Sequence, residues 1–147
     1  MIDQPVISQN DRTMAGLAHL GVIIPFWGMI AAIVIWVTHK DKSNFIVFQA
    51  IQALIYQVLL ILVTMLGMGC YMISFFGMVL TISSSTSESS AFPAGFFLPF
   101  AAMGGIFIID LAFIIYGIVA AVMNFTGKNF RYILLGGWVE KYLNKGS

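Results

Sequence analysis

One carboxylate, Asp110, stands alone in a long apolar run, with no other charged residue between positions 89 and 127. Near the midplane of a bilayer a charge costs at least about 2.5–3.5 kcal/mol, so Asp110 must face a helix bundle or a cavity. Two roles fit: a proton or ion relay lining a path, or a hydrogen-bonded carboxyl that locks helix packing. In a helix, Asp110, Phe113, Gly117, Ala121 and Asn124 share one face, at spacings of 3, 4, 4 and 3. Gly117 and Ala121 form a short small-residue seam that admits a close neighbour, and Phe113 ends it one turn short of Asp110. A second polar face runs through Gln49, Gln52, Tyr56 and Gln57, at i, i+3, i+7 and i+8, and Thr64 continues it. Glutamines in a membrane helix bond across to other helices at roughly 0.6–2 kcal/mol each, so they act as interhelical glue or line a groove. His19 is placed to donate to Asp110 or to a glutamine, as a neutral hydrogen-bonded ring rather than a titrating switch.

Other chemistry is not indicated. Cys70 is the only cysteine, which excludes a disulfide framework and a CxxC pair. His19 and His39 stand apart from any carboxylate pair with ligand spacing, so no metal is expected. There is no phosphate loop, nucleophile elbow or HExxH. We therefore expect no enzyme and no cofactor. Trp27 and Trp36 read as packing or interfacial belt residues.

These residues need elements to hold them, and the composition says which. Hydrophobic residues make up 60% of the 147 and charged ones 9%, against roughly 25% charged in soluble domains. Of the thirteen charged residues, only Lys40, Asp41, Lys42, Glu88 and Asp110 fall between positions 14 and 126. So apolar a chain excludes a soluble enzyme and a nucleic-acid-binding domain; it is an integral membrane protein, all-α, a polytopic transmembrane helical bundle.

Five segments are expected in this single membrane domain. The first, 14–39, is interrupted at Ile24-Pro25-Phe26. Proline removes a helical hydrogen bond, leaving halves too short to span, so the pair forms either one kinked span or a broken hairpin. The second, 44–82, is over-long for one span; Gly67, Gly69 and Gly77 offer bends, but one long helix is preferred. A Ser-rich external loop, 83–93, leads to a second long helix, 94–126, where Pro99 marks a first turn and shortens the regular part. The two helices would run antiparallel.

The tail, 127–147, places Leu134, Leu135, Trp138, Val139 and Tyr142 at helical spacing, with Glu140 and Asn144 opposite. This is a short amphipathic helix, lying in the headgroup region or packed on the protein's own loops. In the headgroup reading Trp138, Tyr142, Lys128 and Arg131 anchor it. The lysine and arginine bias puts the Lys40/Lys42 turn and the tail on the cytoplasmic side of a prokaryotic plasma membrane, with the Ser-rich tip outside.

Several short motifs then invite a comparison. Arg12 to Leu20, Ile35-Trp36, Lys40-Asp41-Lys42-Ser43, Gln52-Ala53-Leu54 with Tyr56-Gln57, and Gly127 to Tyr132 resemble segments of small membrane proteins related to the channel subunit of the chloroplast inner-envelope protein translocon. Within that pattern Ile55 replaces an Asn, Gln49 a His and Ile133 a Pro, and residues 68–97 read as an insertion. The resemblance implies four hydrophobic segments with both ends cytoplasmic, which favours the broken hairpin. It also implies a non-catalytic subunit or scaffold of a larger membrane complex, linked to protein translocation. The alternative is a small oligomeric ion or solute transporter using Asp110. Expected partners are the lipid bilayer and other membrane subunits or further copies of the chain, and no nucleic acid.

Overall fold

The computed structural model describes residues 7–84, 94–133 and 135–145, with the side chains of Ala94, Tyr142, Asn144 and Lys145 left out. All regular structure among these is helical: α1 (Gln9–Leu20), α2 (Pro25–His39), α3 (Asn44–Ser84), α4 (Leu98–Phe125) and α5 (Gly136–Lys145), with 3₁₀ turns at Gly21–Ile23 and Ala94–Phe97. Most of the Ser-rich loop and the Tyr142 side chain lie outside the described residues.

Local chemistry explains each boundary. Ser8 caps α1, its hydroxyl accepting from the amide of Asp11 at 3.1 Å. The 3₁₀ turn breaks at Ile24 (φ −127°, ψ 79°), and Pro25 opens α2 at its first position, where the missing N–H costs nothing. The two halves then fold onto each other. The Cβ of an alanine at Gly21 would lie 2.6 Å from the Cα of Gly28, so side chains are excluded on both sides of this crossing. The first segment is therefore a broken hairpin, not a kinked span.

Ser43 begins α3, accepting from the amide of Ile46 at 3.4 Å, and the helix continues unbroken for 41 residues. Gly67, Gly69 and Gly77 do not interrupt it. Regular helix in the next segment starts only at Leu98, four residues later than expected, after a 3₁₀ turn and with Pro99 in its first turn. Gly127 ends α4: at φ 79° it adopts the left-handed conformation, its amide donates to the Asn124 carbonyl, and Lys128 donates to Met123. That paired arrangement is the Schellman cap that glycine favours.

The chain forms two compact units, Met1–Leu60 with Phe113–Ser147, and Ile61–Ala112. The first has a true core. Val22, Tyr56, Leu60, Ala120, Phe130 and Tyr132 are buried together, and the Tyr56 and Tyr132 rings stack at 4.2 Å. The second unit packs Gly67 of α3 against Ile106 of α4, while Leu66, Ile73, Phe107 and Ile108 stay largely exposed. Two helices, Asn44–Ser84 and Gly95–Phe125, are long and apolar enough to cross a membrane.

The residues from Lys128 to Tyr132, between α4 and α5, lie outside any helix, and Phe130 and Tyr132 are buried in the core. The apolar stripe of α5 is divided. Val139 packs against Val47 and Ile51 of α3, whereas Trp138 turns outward, 79% exposed.

Candidate functional site

The main polar constellation lies in the first unit and is built on α3. Helical spacing puts Gln49 and Gln52 on the side that meets the non-helical 128–132 segment. Gln52 brackets Arg131: its Nε2 donates to the Phe130 carbonyl at 3.3 Å and its Oε1 accepts from the Tyr132 amide at 3.1 Å. A side-chain amide thus pairs with backbone groups on both sides of Arg131, as a neighbouring strand would.

Gln49 joins four elements. Its Nε2 donates to the Phe130 carbonyl at 3.0 Å and to Asn129 Oδ1 at 2.7 Å. A carbonyl only accepts, so this contact fixes the amide's orientation and turns Oε1 toward His19 Nε2 at 3.0 Å. His19 Nε2 must then carry the proton, which leaves Nδ1 as the acceptor for the Tyr132 hydroxyl at 3.1 Å. Asn124 Nδ2 adds a further donation to Gln49 Oε1 at 3.3 Å. The result is a directed chain, Tyr132 to His19 to Gln49 to the Phe130 carbonyl, and His19, Gln49 and Gln52 are almost wholly buried. Burial, then the nearby Tyr56 and Tyr116, push the Tyr132 hydroxyl above the ordinary tyrosine value, so it stays a neutral donor. Gln57 works elsewhere in this unit, donating to the Ala18 carbonyl at 3.0 Å in the last turn of α1.

The other candidates are placed as follows. Gly117 and Ala121 lie in the first unit, where a Cβ on Gly117 would come within 2.6 Å of Val22; the seam's close neighbour is this chain's own hairpin. Asp110 belongs to the second unit, where Thr64 donates to its Oδ1 at 2.9 Å. Lys128 is exposed. Arg131 forms an ion pair with Glu140 at 3.1 Å and lies over the Phe48 ring. The sequence reading missed Tyr132 and Asn129 as members of the network. No periodicity marks them, because they sit outside any helix; Gly127, the signal that α4 ends there, is the available clue. Among the described residues no three His, Cys, Asp or Glu side chains cluster to hold a metal.

Chemically, this arrangement holds α1, α3, α4 and the tail in one register. The family of magnetosome magnetite crystal formation proteins matches residues 10–139, from α1 into α5. The chain belongs to that family. This corrects the resemblance to translocon channel subunits: the matched segment covers every motif that suggested it, and no translocation role follows. No curated protein and no solved structure matches the chain. As a magnetosome family protein, it is a bacterial membrane protein with two candidate transmembrane helices.

Proposed function

We propose that this magnetosome family protein is a non-catalytic subunit or scaffold of the membrane assembly in which the magnetite crystal forms. The family match supports the setting. The observation that carries the non-catalytic reading is the closure of the His19 network: both ring nitrogens are engaged by Tyr132 and Gln49, inside a buried core. A general base needs a free, reachable nitrogen; this one is spent on packing. In the same reading α3 and α4 span the magnetosome membrane, and the broken hairpin and α5 lie at its cytoplasmic face.

The test is to remove the gene from a magnetosome-forming bacterium and measure crystal dimensions by electron microscopy, then restore it. We expect altered crystals in the deletion, recovery with the wild-type chain, and stoichiometric membrane partners when the chain is purified in mild detergent. Unchanged crystals would overturn the role. Recovery of the chain alone, with ion flux that Asp110→Asn abolishes, would replace the scaffold with a transporter.

A further inference from the structure

One cavity in the first unit is unlike the polar core. Trp36 of α2, Ile51, Leu54 and Ile55 of α3, and Val139 with the outward-turned Trp138 of α5 line an open groove of about 330 Å³, at the low end for small-molecule sites. Its walls are apolar, and a lysine lies one helical turn along the chain from each of its two tryptophans. Lys40 follows Trp36 by four residues and keeps helical backbone angles (φ −54°, ψ −33°), so it sits one turn beyond that wall. Lys141 follows Trp138 by three residues on α5 and is also one turn on. Both lysines are exposed, and neither pairs with a carboxylate among the described residues.

Depth fits the same picture. Ile51, Leu54 and Ile55 lie seven to eleven residues past the start of α3, so the floor of the groove runs roughly 10–16 Å along that helix from its first turn. Apolar walls reaching inward from two lysines match one ligand class: a lipid with an anionic head.

We propose that this groove holds one acyl chain of an anionic phospholipid, with the phosphate between Lys40 and Lys141 and the tail against Ile51, Leu54 and Ile55. The proposal rests on the reading of α5 as a helix at the membrane surface.

Native mass spectrometry of the full chain from mild detergent, with added phosphatidylglycerol or phosphatidylcholine, tests it. Each lysine near such a surface is expected to favour the anionic lipid about fivefold. We expect one retained phosphatidylglycerol, loss of its preference over phosphatidylcholine in Lys40→Gln/Lys141→Gln, and weaker retention of both lipids in Ile55→Trp, which fills the groove. A graded series of adducts with no discrete first one, or a one-lipid adduct that neither variant changes, would overturn the proposal. So would a dimer that excludes lipid. Quenching of Trp138 by brominated lipids, in a Trp27→Phe/Trp36→Phe background, reports separately on α5. Quenching without a discrete adduct sinks the groove site and leaves α5 at the membrane; absence of both sinks both.

Discussion

At the residue scale, the buried network divides into members whose loss strands one partner and members whose loss strands several. Tyr132→Phe removes a single donation to His19 and keeps the ring stacked on Tyr56. It should cost about 1–2 kcal/mol. Gln49→Leu removes one partner each from His19, Asn124, Asn129 and the Phe130 carbonyl at once, leaving the buried His19 Nε2 stranded, and should cost about 3 kcal/mol or more. Thermal unfolding in detergent gives the order; equal losses would mean that the network is not anchored on Gln49. The raised Tyr132 hydroxyl has a pH signature. Its contribution is fully present below the pKa of an unfolded tyrosine, near 10, and is lost as pH rises beyond that. Stability should fall above about pH 10 in the wild type and less so in Tyr132→Phe. At Asp110, Asn supplies the same acceptor to Thr64, so Asp110→Asn should change stability by under about 1 kcal/mol, while Asp110→Leu, which removes the acceptor, should cost more.

At the element scale, glycine matters where two backbones meet and little elsewhere. Gly28 abuts the Gly21 backbone, and any side chain there forces the hairpin apart. Gly69 and Gly77 have open space around the position a Cβ would take. Gly28→Ala should therefore destabilise by about 2 kcal/mol or more through overpacking, whereas Gly69→Ala and Gly77→Ala should stabilise α3 by up to about 1 kcal/mol each. Melting the three variants side by side checks this. A neutral Gly28→Ala would show that the hairpin is loose at its crossing. Gly127 combines a left-handed φ with the Arg12 guanidinium packed over it, so Gly127→Ala should cost about 1–2 kcal/mol.

At the scale of the whole molecule, the buried polar groups concentrate in the unit built from residues 1–60 and 113–147, while both that unit and the unit of residues 61–112 expose large apolar side chains. Such a surface belongs in lipid. Cys70 is exposed on α3 amid that apolar surface. In intact membranes a water-soluble maleimide should leave it unmodified and should label it after denaturation; rapid labelling in the native membrane would place this stretch of α3 in water.

Whatever depends on composition and local backbone chemistry is legible in the residues alone. Sparse charge and apolar runs required helices and a membrane, Pro25 required a break, and helical spacing put Gln49, Gln52 and Gln57 on one face. The sequence did not determine what those residues meet. Two outcomes for the 14–39 segment were equally compatible with a proline, and the close approach of Gly21 to Gly28 decided for the hairpin. The motifs that suggested a translocon relative include Ala18, His19, Gln52, Tyr56, Gln57, Gly127 and Tyr132, all of them core or turn residues here. Residues of that kind record how a helical core is pinned and say little about its task. Only the tertiary structure joined His19 to Gln49 and Tyr132, thirty and 113 residues away. Hydrogen bonds across such separations depend on how the chain folds back, and local periodicity carries no trace of that.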